Sequence, residues 1–117
     1  MKTILVIDDE SYFAKTIEAT LDPKKYKVIK AENGEEGLKM IEKESPDAVL
    51  LDINMPKMNG MEVLKKLNTK KVPVIITSNI SSKQTISEGV ALGVRGYIVK
   101  SNESAQTIAD SIEDLFK

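Results

Sequence analysis

The chain has 117 residues, 41% hydrophobic and 30% charged, which suffices for one compact domain with its own core and not for two. Lys plus Arg total 17 against 18 Asp plus Glu, a net charge of -1, so no global field draws in a polyanion such as nucleic acid or a membrane surface. With no Cys and no His, disulfides, zinc sites of nitrogen and sulfur ligands, and nucleophile–imidazole pairs are all excluded.

The first apolar run, Thr3 to Ile7, has strand length and closes in Asp8, Asp9 and Glu10. It is too short and too soon acidic for a signal peptide, and no run approaches a membrane span, so a soluble cytoplasmic protein is expected. Phe13, Ile17 and Leu21 follow at helical spacing, stopped by Asp22-Pro23, since the residue before a proline is driven out of the helical region. A second strand is predicted over Tyr26 to Ala31. Asn33 and Glu36 then have the spacing of an N-cap and its reciprocal partner, opening a helix through Leu38 and Ile41 that Ser45-Pro46 stops.

Ala48 to Leu51 predicts a third strand, closed by Asp52. In the segment that follows, Pro56 and Gly60 shape the loop, and Met55, Met58 and Met61 read as packing around a turn and helix start. Val63, Leu64 and Leu67 mark the third helix. A fourth strand is predicted over Val72 to Ile76, closed by Thr77. Ser81 with Gln84 repeats the capping spacing before a helix marked by Ile86 and Val90. The fifth strand, Gly96 to Val99, closes in Lys100, and Ala105, Ile108, Ile112 and Leu115 mark the last helix.

Five alternating strand and helix pairs require right-handed crossovers and a parallel sheet, hence an α/β three-layer sandwich. Residues 1–117 read as a single domain, with no repeat or linker and nothing left over for an effector domain.

Ligands of an open parallel sheet bind beyond the carboxyl ends of its strands, so the closing residues are the ones to inspect. Each alone is better read as a solvated loop residue or a strand terminus. Together, Asp8, Asp9 and Asp52 would repel one another unless a cation sits among them, and a hard divalent ion such as Mg²⁺ takes oxygen ligands while keeping positions open for a phosphoryl oxygen. Asp52, already ionised at neutral pH, can then attack phosphorus without a general base, with Lys100 and Thr77 holding phosphoryl oxygens.

The combination of Asp8-Asp9, the stretch Asp52-Ile53-Asn54-Met55-Pro56-Lys57-Met58-Asn59-Gly60, Thr77-Ser78 and Gly96-Tyr97-Ile98-Val99-Lys100 resembles the receiver domain of two-component response regulators over essentially the whole chain. The resemblance implies a flavodoxin-like (βα)5 fold with sheet order 2-1-3-4-5, helices on both faces, and Mg²⁺ as the cofactor. It makes Asp52 the phosphoacceptor and Asp8 and Asp9 the acidic pair, with Asp9 the more direct metal ligand and the Asn54 backbone carbonyl completing the set. Lys100 becomes the phosphate-binding lysine, and Thr77 and Tyr97 a coupled switch in which Tyr97 enters the space that Thr77 vacates. The implied donor is a histidine kinase or histidine phosphotransfer protein, and the output is binding to a downstream protein target, not enzymatic turnover.

Where the family usually has a proline after the lysine, this chain has Ser101, which implies a differently shaped loop around Lys100. Two other readings stand beside the stand-alone phosphorylatable receiver: a degenerate receiver acting as a constitutive protein-binding module, and a phosphohydrolase using Asp52 as covalent nucleophile. A monomer is expected, with no nucleic-acid or membrane partner.

Overall fold

Strand and helix alternate from end to end in the computed structural model, which describes residues 1–53, 55, 60–67, 71–79, 83–101 and 103–117. The strands are β1 (Lys2–Ile7), β2 (Tyr26–Ala31), β3 (Ala48–Asp52), β4 (Val74–Ser78) and β5 (Gly96–Val99). The helices between and after them are α1 (Ser11–Thr20), α2 (Gly34–Glu44), α3 (Gly60–Lys66), α4 (Lys83–Ala91) and α5 (Ala105–Asp114). The strands form one sheet in the order β2-β1-β3-β4-β5, every pairing parallel. This is the flavodoxin-like topology expected from the sequence.

Because side chains alternate across a strand, a continuous apolar run feeds two cores. Ile4, Val6, Leu50, Ile75 and Ile98 pack with Phe13 and Ile17 of α1 and Ile108 and Ile112 of α5. Leu5, Ile7, Val49, Leu51, Val74 and Ile76 pack on the other face with Val63 and Leu64 of α3 and, from α2, Leu38 and Ile41. Met55 and Met61 join that second core, in the packing role expected of them; Met58 and Pro56 lie outside the described residues. Among the described residues, no helix is long and apolar enough to cross a membrane.

One predicted strand boundary and one predicted core position are corrected most clearly. β4 begins at Val74 rather than Val72 and runs through Thr77 to Ser78. The ladder is extended by the Asp52–Thr77 and Ser78–Val99 pairs, and Pro73, which has no N–H to donate, falls just before it. In α4, Val90 is 64% exposed and does not share a buried stripe with Ile86. The helix buries Gly89 instead. A Cβ there would stand 2.8 Å from Ile76 Cδ1, so the missing side chain lets the helix approach β4 and turns Val90 outward.

The cap of α2 forms as read: Asn33 Oδ1 accepts from Glu36 N at 2.9 Å, while Glu36 Oε2 accepts from Glu32 N at 3.3 Å rather than from Asn33. The helix ends on Ser45, whose φ of 46° is left-handed, and Pro46 cannot continue it. Ser104 caps α5 by accepting from Thr107 N, a cap the sequence reading did not single out. The Ser81 capping expectation falls outside the described residues.

Candidate functional site

Strand alternation itself assembles the site. Val6, Leu50, Ile75 and Ile98 face α1 and α5, and two residues further along each strand direction come Asp8, Asp52, Thr77 and Lys100, on the same face and at the carboxyl rim. Asp8, Asp52 and Thr77 are 4%, 3% and 1% exposed, and the Lys100 side chain 5%. Burial of two carboxylates and an ammonium is tolerated because they neutralise one another.

Lys100 is the hub. Its Nζ donates to Asp8 Oδ2 at 2.5 Å and lies 3.5 Å from Asp52 Oδ2 and 4.0 Å from Glu10 Oε1. Burial pulls its pKa down, but the Asp8 hydrogen bond and the charges of Asp52, Asp8 and Glu10 outweigh that and raise it above the ordinary lysine value, so the side chain is a cation at any physiological pH. Its backbone N donates to Ser78 O at 2.7 Å, continuing the β4–β5 ladder past the end of β5. Ser101 in the family's proline position therefore leaves the lysine in the site. The peptide bond between Lys100 and Ser101 is trans.

Carboxylate oxygens of Asp8, Asp9 and Glu10 lie within 4.8 Å of one another. The turn that gathers them is closed by Asp8 Oδ1 accepting from Glu10 N at 2.8 Å. The expected trio was Asp8, Asp9 and Asp52. Asp8 and Asp9 lie in this group with Glu10, and the Asp52 carboxylate lies 3.5 Å from the same Lys100 ammonium that Asp8 contacts. The only sequence signal for Glu10 was its place as the third acid in a row. An all-oxygen donor set is the kind a hard divalent cation such as Mg²⁺ takes. Asn54, whose carbonyl was expected to contribute, lies outside the described residues.

Thr77 is the register partner of Asp52, and its Oγ1 is buried with no hydrogen-bond partner among the described residues. A buried hydroxyl left this way is costly and marks a place where an acceptor would be welcome. Tyr97 pairs with Ile76 rather than Thr77 and packs, half-buried, against the opposite core. Alternation thus directs Thr77 and Tyr97 from their neighbouring strands toward opposite faces of the sheet.

Gly60 sets the entry to α3. A Cβ on it would meet Asp52 O and Ile53 Cα, both at 2.5 Å, and its N donates to Ile53 O at 3.1 Å. Gly60 thus allows a close approach of two backbones at Asp52 and Ile53.

A family model described as the response regulator receiver domain matches residues 4–113. The chain belongs to the response regulator receiver family. Among curated relatives, this receiver is 37% identical over 101 residues to the alkaline phosphatase synthesis transcriptional regulatory protein PhoP of Bacillus subtilis, covering 85% of this chain and 42% of that protein. It is 35% identical over 104 residues to Protein PilH of Pseudomonas aeruginosa, covering 86% of each. It therefore spans less than half of PhoP and most of PilH.

Among solved structures, the chemotaxis response regulator CheY4 of Vibrio cholerae superposes with a TM-score of 0.87 at 28% identity, covering 98% of each chain. The CheY of a CheX–CheY–BeF3–Mg²⁺ complex from Borrelia burgdorferi does so with a TM-score of 0.89 at 25% identity, covering 99% of this receiver and 90% of that chain. That complex holds magnesium, and the oxygen-only cluster of Asp8, Asp9 and Glu10 in this receiver is a donor set of the kind that ion takes.

Proposed function

We propose that this receiver accepts a phosphoryl group on the Asp52 carboxylate from a phosphohistidine of a histidine kinase or phosphotransfer protein, and that its output is binding rather than substrate turnover. The P–N bond of the donor breaks as an O–P bond forms at Asp52, and the departing imidazole takes a proton from solvent. No general base is required, because the nucleophile is already ionised. What carries the reading is one juxtaposition: Asp52 has a buried ammonium at 3.5 Å and, as its register partner, Thr77, whose buried hydroxyl has no hydrogen-bond partner among the described residues. The hydroxyl can donate to a new oxygen and the ammonium can exchange a carboxylate oxygen for one, and a phosphoryl group supplies three.

Asp8, Asp9 and Glu10 would hold Mg²⁺. When bound, the ion offsets negative charge on the phosphoryl oxygens. Lys100 pairs with one of those oxygens, and Thr77 turns its hydroxyl toward another. The Thr77 movement is coupled to Tyr97, which sits half-buried on the neighbouring strand. A protein target that senses Tyr97 and α4 reads the state, with a coupling of about 1 to 3 kcal/mol. The similar CheY structure is a complex with a second protein, CheX, which supports a protein target. The reading places the receiver in the cytoplasm, acting as a monomer.

The test is to incubate the receiver with Mg²⁺ and phosphoramidate or acetyl phosphate and to follow intact mass. One acid-stable, alkali-labile phosphoryl adduct is expected, abolished by Asp52→Asn. No adduct on the wild-type chain would sink the reading.

A further inference from the structure

The geometry points to Phe13 as a positioning residue that holds the Lys100 ammonium at the rim of the site, an inference that rests on the phosphoacceptor reading above and deepens it. Lys100 Nζ stands 4.6 Å from the centroid of the Phe13 ring. The three carboxylates of Asp8, Asp52 and Glu10 also approach that nitrogen. Phe13 is 6% exposed and belongs to the core under α1 and α5, so its ring face meets the ammonium in a nearly dry setting, where attraction between a cation and the negative ring face is strongest.

The ring does something the carboxylates cannot. Each acid offers a localised acceptor and pulls the ammonium to itself, above all Asp8, the closest. A ring face attracts the charge without accepting a particular proton, so Lys100 can exchange a carboxylate for an incoming phosphoryl oxygen without losing its seat. The ring also borders an alternative. Between α1 and α5 lies a cavity of about 160 Å³, lined by Tyr12, Thr16, Ala105 and Ile108 together with Phe13 and Lys100 themselves. A lysine side chain not held by the ring has that space to fold into, away from Asp52.

Phe13 is also core, so the test must separate the face of the ring from its bulk. Replacing Phe13 by mono-, di- and trifluorophenylalanine drains the ring face stepwise while nearly preserving shape. The logarithm of the phosphorylation rate constant with phosphoramidate and Mg²⁺ is expected to fall steadily along the series. Phe13→Leu is expected to slow phosphorylation by about threefold to tenfold. The Lys100 ammonium resonance, read by NMR without metal or donor, is expected to lie upfield under the ring current and to move downfield in Phe13→Leu. A flat fluorine series overturns the proposal even if Phe13→Leu is slow, because loss of packing alone would then explain it. If the wild-type chain takes no phosphoryl group, the phosphoacceptor reading fails separately, and the ammonium resonance still decides whether the ring seats the lysine.

Discussion

Asp52 and Thr77 are direct partners across the β3–β4 ladder, and strand alternation sends both side chains toward the face covered by α1 and α5. Asp52 meets a cation there, whereas the Thr77 hydroxyl is buried without a hydrogen-bond partner among the described residues. The resting site therefore keeps one donor unsatisfied beside its acidic group.

That unsatisfied hydroxyl makes a prediction about stability. Thr77→Val keeps the β-branched shape and removes the orphaned oxygen, so the unphosphorylated protein should gain about 1 kcal/mol. Urea unfolding at constant m-value would measure it. Phosphorylation of Asp52 should persist in the variant, while the difference in backbone amide exchange of α4 between the phosphorylated and unphosphorylated forms should shrink. A variant less stable than wild type would mean that the hydroxyl is satisfied after all.

Most of this arrangement was legible in the sequence, for a physical reason. A parallel sheet buries both faces, so its strands appear as unbroken apolar runs, and the residues that close those runs, Asp8, Asp52 and Lys100, must crowd one rim. What was not legible depends on rotation and approach of helices. Phe13 was read correctly as a core residue of α1, but nothing in a helical spacing tells which turn of α1 faces a lysine from β5. Val90 had the right spacing for a core position, yet the glycine beside it allowed a closer approach that turned the valine out. The face on which Tyr97 leaves β5 follows from the register, Ile76 opposite Tyr97, which spacing alone does not give.

Lys100 balances Asp8 and Asp52 inside the protein, so its removal should be severe. Lys100→Met leaves two buried carboxylates without their counter-ion, and a loss of about 3 to 5 kcal/mol is expected at neutral pH. Added Mg²⁺ should recover part of it, because a second cation then faces the same acids. Chemical denaturation with and without the ion measures both quantities. Equal stability of the variant and wild type would refute the view of Lys100 as an essential counter-charge.

The same residue predicts an alkaline limb. The folded protein holds the Lys100 proton more tightly than the unfolded chain, since its neighbours raise the pKa above 10.5. The stability it contributes is whole below that ordinary value and is lost as pH rises through the folded one. Tyr26, raised by burial, adds a loss of the same sign. Thermal midpoints taken from about pH 9 to about pH 12 should show the gap between wild type and Lys100→Met narrowing toward the alkaline end. A constant gap would remove the linkage.

Gly60 and Gly89 should respond differently to the same substitution. In Gly60→Ala the new carbon meets backbone atoms of Asp52 and Ile53, which cannot swing aside. The helix entry must shift, at about 1 to 3 kcal/mol, and the acceptor strand shifts with it. In Gly89→Ala the new carbon meets the end of the Ile76 side chain, which can move, and alanine favours the helix by about 1 kcal/mol. The Gly60 variant should be clearly destabilised and phosphorylate slowly. The Gly89 variant should stay within about 1 kcal/mol of wild type. If both fall equally, the backbone contact behind Asp52 is not what fixes Gly60.

Metal binding offers a last check on which acids act together. If Mg²⁺ sits among Asp8, Asp9 and Glu10, it binds the folded chain alone, and at a hundredfold excess over the dissociation constant it should stabilise the protein by about 2.7 kcal/mol. Asp9→Asn should weaken binding at least about tenfold, since Asp9 is exposed and loses charge without disturbing the core. Glu10→Gln should weaken it by a smaller factor, of about threefold, because that carboxylate is shared with Lys100 at 4.0 Å. Calorimetric titration of the three proteins distinguishes the cases. Unchanged affinity in Glu10→Gln would restrict the cation site to the aspartates and leave Glu10 with the ammonium alone.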